Sequence, residues 1–146
     1  MAGESVRDYS SWKTLEASGA SIANNAFGEA NDATWEQVAD GGGRPHLQVE
    51  IVWTYGANPS AGGSLGIYSR ALQINTTNDA AAPSASYLRR MIGNEPVNTA
   101  GTAHAQRFDV MNAPTQFSAW LYNNASGQSI SSGWTLRVRA FGFKAA

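Results

Sequence analysis

A period-two alternation of apolar and polar residues, interrupted by turn-forming clusters about every ten residues, constrains this chain more than any other feature. Residues 46–55 carry it most clearly. Leu47, Val49, Ile51 and Trp53 fall on one parity and Gln48, Glu50 and Thr54 on the other, with Val52 the exception. Successive strand side chains point to opposite faces, so this stretch reads as a half-buried strand with one face on a core. Helical periodicity is nearly absent.

The same reading continues along the chain. Residues 7–17 are a polar lead-in followed by a strand. Strands are also expected within 21–30 and 34–38. The loop Asp40-Gly41-Gly42-Gly43-Arg44-Pro45 precedes the 46–55 strand. Residues 64–72 alternate again, with Leu65 and Ile67 on one face and Tyr68, Arg70 and Leu72 on the other. Further strands are expected at 87–93, 103–111, 115–122 and 133–143, with residues 94–101 turning. In 115–122, Phe117, Ala119 and Leu121 point inward and Trp120 and Tyr122 outward. In 133–143, Leu136, Val138 and Ala140 oppose Arg137, Arg139 and Phe141.

Eight or nine short antiparallel strands predict an all-β sandwich. Two-residue hairpin loops are missing and several connections are long, which suits a jelly roll of about eight strands better than an up-and-down barrel. The first ten residues lack alternation and read as an extended N-terminal arm, 1–10, ahead of a sandwich domain, 11–146.

Composition narrows the chemistry. With 146 residues the chain is long enough for one real core. It has no cysteine, which removes disulfides, thiolate metal sites and a cysteine nucleophile. Charged residues make up only 14%, with a net charge of −1. Residues 1–60 carry three basic and eight acidic residues, a net of −5; residues 61–146 carry seven basic and three acidic, a net of +4. The halves are expected to pair within one fold, or to form complementary patches between subunits. Eight of the ten basic residues are Arg, the cation favoured at protein interfaces.

No site for catalysis stands out. Gly62-Gly63-Ser64-Leu65-Gly66 matches the spacing of a nucleophile elbow, but a strand follows it where the elbow needs a helix. His46 and His104 share no ligand spacing, and the cluster at 75–79 has one carboxylate among turn-forming residues. No enzyme activity, metal or cofactor is expected. The overall balance gives nucleic acid no required role. The start has no basic and apolar leader, and no apolar run approaches the roughly 18 residues of a membrane span, so no membrane contact is expected.

Two segments resemble small virion structural proteins of tailed bacteriophages. They are Leu121-Tyr122-Asn123-Asn124-Ala125-Ser126-Gly127-Gln128-Ser129-Ile130-Ser131-Ser132-Gly133-Trp134-Thr135-Leu136-Arg137-Val138 and Ile67-Tyr68-Ser69-Arg70-Ala71-Leu72-Gln73-Ile74-Asn75-Thr76-Thr77-Asn78-Asp79-Ala80-Ala81-Ala82-Pro83. The resemblance implies a jelly-roll cement or decoration protein, made in the host cytoplasm and seated on the capsid surface. Its partners would be the major capsid protein and itself, as a dimer or trimer.

Candidate interface residues are Ser5, Val6 and Tyr9 in the arm, Arg89 and Arg90, Trp120 and Tyr122, and Arg137 and Arg139. Deleting residues 2–10 is expected to weaken attachment with the fold intact. The alternative is a carbohydrate-binding, lectin-like sandwich or phage tail or fibre adhesion domain resting on Trp120, Tyr122, Trp134 and the Asn-rich loops, because exposed aromatics stack on sugars.

Overall fold

The structure is a computed structural model that describes residues 5–72, 79–86 and 90–145. Those residues hold ten strands and no helix: β1 (Ser5–Tyr9), β2 (Lys13–Gly19), β3 (Ala26–Glu29), β4 (Trp35–Glu36), β5 (His46–Thr54), β6 (Ser64–Ala71), β7 (Arg90–Pro96), β8 (Ala103–Val110), β9 (Gln116–Asn124) and β10 (Trp134–Ala145). They form two antiparallel sheets of five strands each. In the first, β1 and β2 lie end to end along one side of β10, and β5 and β8 follow on the other. In the second, β3 and β4 lie along one side of β9, and β6 and β7 follow.

With each end-to-end pair taken as one column, the order is β2-β10-β5-β8 in one sheet and β3-β9-β6-β7 in the other. Every connection from β2 onward crosses between sheets except β3 to β4 and β6 to β7. This is the doubled Greek-key connectivity of a jelly roll, the architecture the strand spacing predicts.

Strand parity sets the core. Leu47, Val49, Ile51 and Trp53 of β5 are buried with Leu65 and Ile67 of β6, Phe117, Ala119 and Leu121 of β9, and Leu136, Val138 and Ala140 of β10. Each large apolar side chain buried this way contributes about 1.5–3 kcal/mol. Val52, the odd residue of β5, points outward and is 44% exposed. Three tryptophans, Trp35, Trp53 and Trp134, also fill the core. The Trp35 indole N–H donates to Gln37 Oε1 at 2.8 Å and that of Trp134 to the Ala20 carbonyl at 2.7 Å, which relieves the cost of burying a donor. Gly19 is required beside Trp134, because a Cβ there would lie 1.9 Å from the indole.

The structure differs from the sequence reading in three places. Residues 5–9, read as an arm, form β1, paired from Ser5 opposite Ala145 to Tyr9 opposite Phe141. At Ser10 the ladder is broken by a side chain. Ser10 N–H donates to the Ala140 carbonyl, while Ala140 N–H donates to the Ser10 hydroxyl, both at 2.9 Å. The chain then rejoins β10 as β2. Second, β7 runs to Pro96, because Asn94 and Glu95 pair with Gly66 and Leu65 where a turn was expected. Residues 87–89 of that predicted strand, and most of the 75–79 cluster, lie outside the described residues. Third, Phe141 has outward parity yet is fully buried. Tyr9, His46 and Phe143 surround its ring, and the Arg7 guanidinium lies 4.8 Å from its centre.

Candidate interaction surfaces

Cross-strand partners share a face of a sheet, so the register of β10, β5 and β8 lays out the outer face of the first sheet in rows. Arg137, Glu50 and Arg107 form one row and Arg139, Gln48 and Asp109 the next. Glu50 accepts from Arg137 Nε at 2.6 Å and from the Arg107 guanidinium. Arg139 donates through Nε and Nη2 to Gln48 Oε1 at 3.0 and 2.7 Å. Gln48 Nε2 donates to Asp109 Oδ1 at 3.0 Å, and Arg7 Nη1 to Asp109 Oδ2 at 2.6 Å.

The break at Ser10 brings Trp12 over these rows. Its ring centre lies 4.5 Å from the Arg139 guanidinium carbon, 4.7 Å from that of Arg137 and 5.6 Å from that of Arg107. Tyr9 holds Arg139 from another direction at 3.8 Å. Each such cation–aromatic contact contributes about 0.5–1 kcal/mol at an exposed site. More consequentially, it restricts long side chains whose rotamer freedom would otherwise be lost on binding.

The face keeps a cationic excess. Four arginines stand against Glu50 and Asp109, and the side chains of Arg7, Arg107 and Arg137 remain 41%, 51% and 44% exposed. Hydrogen bonds from Arg137 and then Arg107 hold the Glu50 carboxyl below the usual carboxylate range, outweighing the opposing effect of burial. A depression of about 280 Å³ opens beside Arg137, walled by Thr14, Ala17 and Thr135. Among the described residues, five of eight ion pairs join residues 1–60 to residues 61–146. The charge asymmetry between the halves is therefore used largely inside one fold.

The predicted interface residues separate into groups. Tyr9, Arg137 and Arg139 lie together on this face. Ser5 and Val6 are exposed at the start of β1. Arg90 lies apart on β7, where its guanidinium donates to the Met111 and Asn112 carbonyls. Arg89 is outside the described residues. Trp120 and Tyr122 occupy the outer face of the other sheet. Trp134, assigned to sugar stacking in the alternative reading, is a core residue with 1% exposure and cannot face a ligand. Sequence reasoning missed Trp12, Arg7, Arg107 and Glu50. The one available signal was a tryptophan within a polar lead-in.

On the second sheet, one row runs Phe27, Tyr122, Gly66 and Asn94 across β3, β9, β6 and β7. Phe27 and Tyr122 stack face to face, with centres 4.4 Å apart and planes 14° from parallel. Beside Gly66 the Tyr68 ring covers the pleat so closely that a Cβ on the glycine would lie 2.8 Å from it. Tyr68 fills the space a side chain would take, and a groove of about 420 Å³ lies beside it, bounded by Tyr122, Tyr68, Asn94, Asn124, Ser64 and Met91. Ser64, the serine of the elbow-like spacing, accepts from Asn124 Nδ2 at 3.3 Å and starts a strand. Neither histidine shares in a metal-ligating cluster among the described residues. His46 accepts from the Asn112 N–H, and His104 stacks on Trp53.

No family model and no curated protein matches the chain. Among solved structures, it is similar to a carbohydrate-binding module of a Cellvibrio mixtus lichenase in complex with cellotriose, at 13% identity and a TM-score of 0.46, covering 94% of this chain and 97% of that one. It is also similar to a structure of infectious bursal disease virus, at 18% identity and a TM-score of 0.41. That match covers 95% of this chain but only 32% of the viral one. A third likeness is to a cleaved adhesin domain of Lys-gingipain from Porphyromonas gingivalis, at 13% identity and a TM-score of 0.38, covering 99% of each chain. At these levels no shared ligand or function follows.

Proposed function

We propose that this chain is a non-enzymatic virion structural protein of the cement or decoration type. On this reading it sits on the capsid surface, binds the major capsid protein and itself, as a dimer or trimer, and uses the outer face of the first sheet for attachment. The observation that carries the reading is the guanidinium array of Arg107, Arg137 and Arg139 beneath Trp12, fixed by Glu50 and Gln48 yet open to solvent.

Arginine and aromatic anchors dominate the energetics of protein interfaces, and groups already held in place lose little entropy on docking. A two-sheet frame with a continuous core supplies the rigidity that holding neighbouring capsid subunits demands. The depression beside Arg137 offers room for a partner side chain. The two segments resembling phage virion proteins favour the capsid over other protein partners, and repetition on a symmetric shell multiplies weak contacts.

The test is mass spectrometry and cryo-microscopy of purified particles from infected cells. The protein is expected in the particle at a fixed ratio to the capsid protein, with density for its first sheet against the shell. Its absence from particles would overturn the reading.

A further inference from the structure

The groove over Gly66 lies on the opposite side of the sandwich from the arginine array, and attachment through the first sheet would leave it open. Its make-up is specific. Tyr122 is fixed by the stacked ring of Phe27 on one side of the row, while Asn94 stands exposed on the other. Tyr68 closes the floor, with Ser64 and Asn124 at one end.

No Asp, Glu, Lys or Arg lines the groove among the described residues, so none of its described lining residues compensates a ligand's formal charge. What it offers is the half-buried Tyr122 ring beside two amides and a serine hydroxyl, above the buried Tyr68. Burial pushes the Tyr68 phenol above its ordinary value, so it remains a neutral hydrogen-bonding group at physiological pH. The volume of about 420 Å³ lies within the range of roughly 300–1,000 Å³ that small-molecule sites occupy.

We infer that this groove is a binding site for an uncharged oligosaccharide, held by Tyr122 and Asn94 on either side of the Tyr68-covered pleat at Gly66. A pyranose ring has an apolar C–H face that packs on an aromatic ring and equatorial hydroxyls that both donate and accept. An amide side chain answers such hydroxyls with two donors and an acceptor of its own. A peptide ligand would instead seek an unpaired strand edge, and the floor strands β9 and β6 are paired on both sides.

The site does not depend on the virion reading, because it is read on the purified chain. The experiment is an array of neutral and acidic oligosaccharides probed with the full-length protein. The best neutral hit is then titrated by calorimetry against wild type, Tyr122→Ala and Asn94→Ala, with thermal melts confirming that each variant is folded. The expected result is binding of at least one neutral oligosaccharide, weakened about tenfold or more in each variant. Asn94 is exposed, so Asn94→Ala decides the matter if Tyr122→Ala does not fold. Failure to bind any neutral glycan, binding of acidic glycans alone, or wild-type affinity in a folded Asn94→Ala protein would each overturn the inference.

Discussion

The Arg139 guanidinium carbon lies 3.8 Å from the centre of the Tyr9 ring. That contact ties the last strand of the chain to the first, and it continues into Trp12, whose indole covers Arg139, Arg137 and Arg107. The N-terminal segment is thus part of the surface it was expected to extend from.

Trp12→Ala should uncover three guanidinium groups, which keep their bonds to Glu50 and Gln48, and leave the core untouched. With three contacts worth about 0.5–1 kcal/mol each, a loss of about 1.5–3 kcal/mol is expected in urea unfolding. Trp12→Phe should recover part of it. An unchanged midpoint for Trp12→Ala would mean that the stacking contributes nothing.

Acid should weaken the fold through Glu50. Its carboxyl titrates below its ordinary value of 4.5 in the folded protein, because Arg137 and Arg107 favour the charged form. A depressed folded value gives stability that is fully present above the unfolded value and lost as pH falls through the folded one. The melting temperature should therefore drop as pH is lowered below about 4.5. Glu50→Gln should flatten that part of the profile. Asp8, lowered by hydrogen bonds from Arg44 and Lys144, adds a slope of the same sign that Glu50→Gln leaves in place.

Gly19→Ala should be among the most damaging small substitutions. The new methyl would sit 1.9 Å from the Trp134 indole, which is held by its bond to Ala20. Overpacking of this kind costs about 1–3 kcal/mol, read as a lower denaturation midpoint at constant slope.

Asn123→Leu should also be costly. The fully buried amide donates to the carbonyls of Ile22, Ala23 and Gln128, at 3.2, 3.2 and 2.7 Å, and accepts from the Ser126 hydroxyl at 2.6 Å. Leucine has similar volume but removes all four bonds; the Ile22, Ala23 and Gln128 carbonyls keep only those from the Ile130 N–H, the Ala26 N–H and the Ser126 hydroxyl, so a loss of about 1–3 kcal/mol in all is expected. A loss below 1 kcal/mol in chemical denaturation would contradict this.

Removing residues 2–10 should now lower stability as well as attachment, unlike the clean loss expected of a free arm. The deletion takes away β1 and uncovers Phe141. A melting temperature equal to that of the full chain would show that β1 adds nothing to the sheet.

The sandwich was legible because each central strand buries one parity. Leu47, Val49, Ile51 and Trp53 declare their face within nine residues, and so do Phe117, Ala119 and Leu121. Phe141 was not legible. Its local pattern matches that of Arg137 and Arg139, and β1 and His46, both far away in sequence, help to seal it. Trp134 failed in the opposite sense, since its flanking turn residues resemble an exposed loop while its indole is capped by Ala20. The arginines of the first sheet were visible one by one. Their convergence under Trp12 follows from the Ser10 hydroxyl replacing a ladder carbonyl, which no periodicity records. The same holds for the groove: Gly66 reads as a weak strand position until Tyr122 and Asn94 are placed on either side of it.

Attachment through the arginine-bearing face can be read from occupancy on purified particles. Particles would be stripped of the protein, mixed with excess wild type or Arg137→Glu/Arg139→Glu double variant, and sedimented. Near-full occupancy is expected for wild type, and at least about a tenfold weaker apparent affinity for a folded double variant. Wild-type occupancy by that variant, or no association of wild type with particles at all, would contradict attachment through that face.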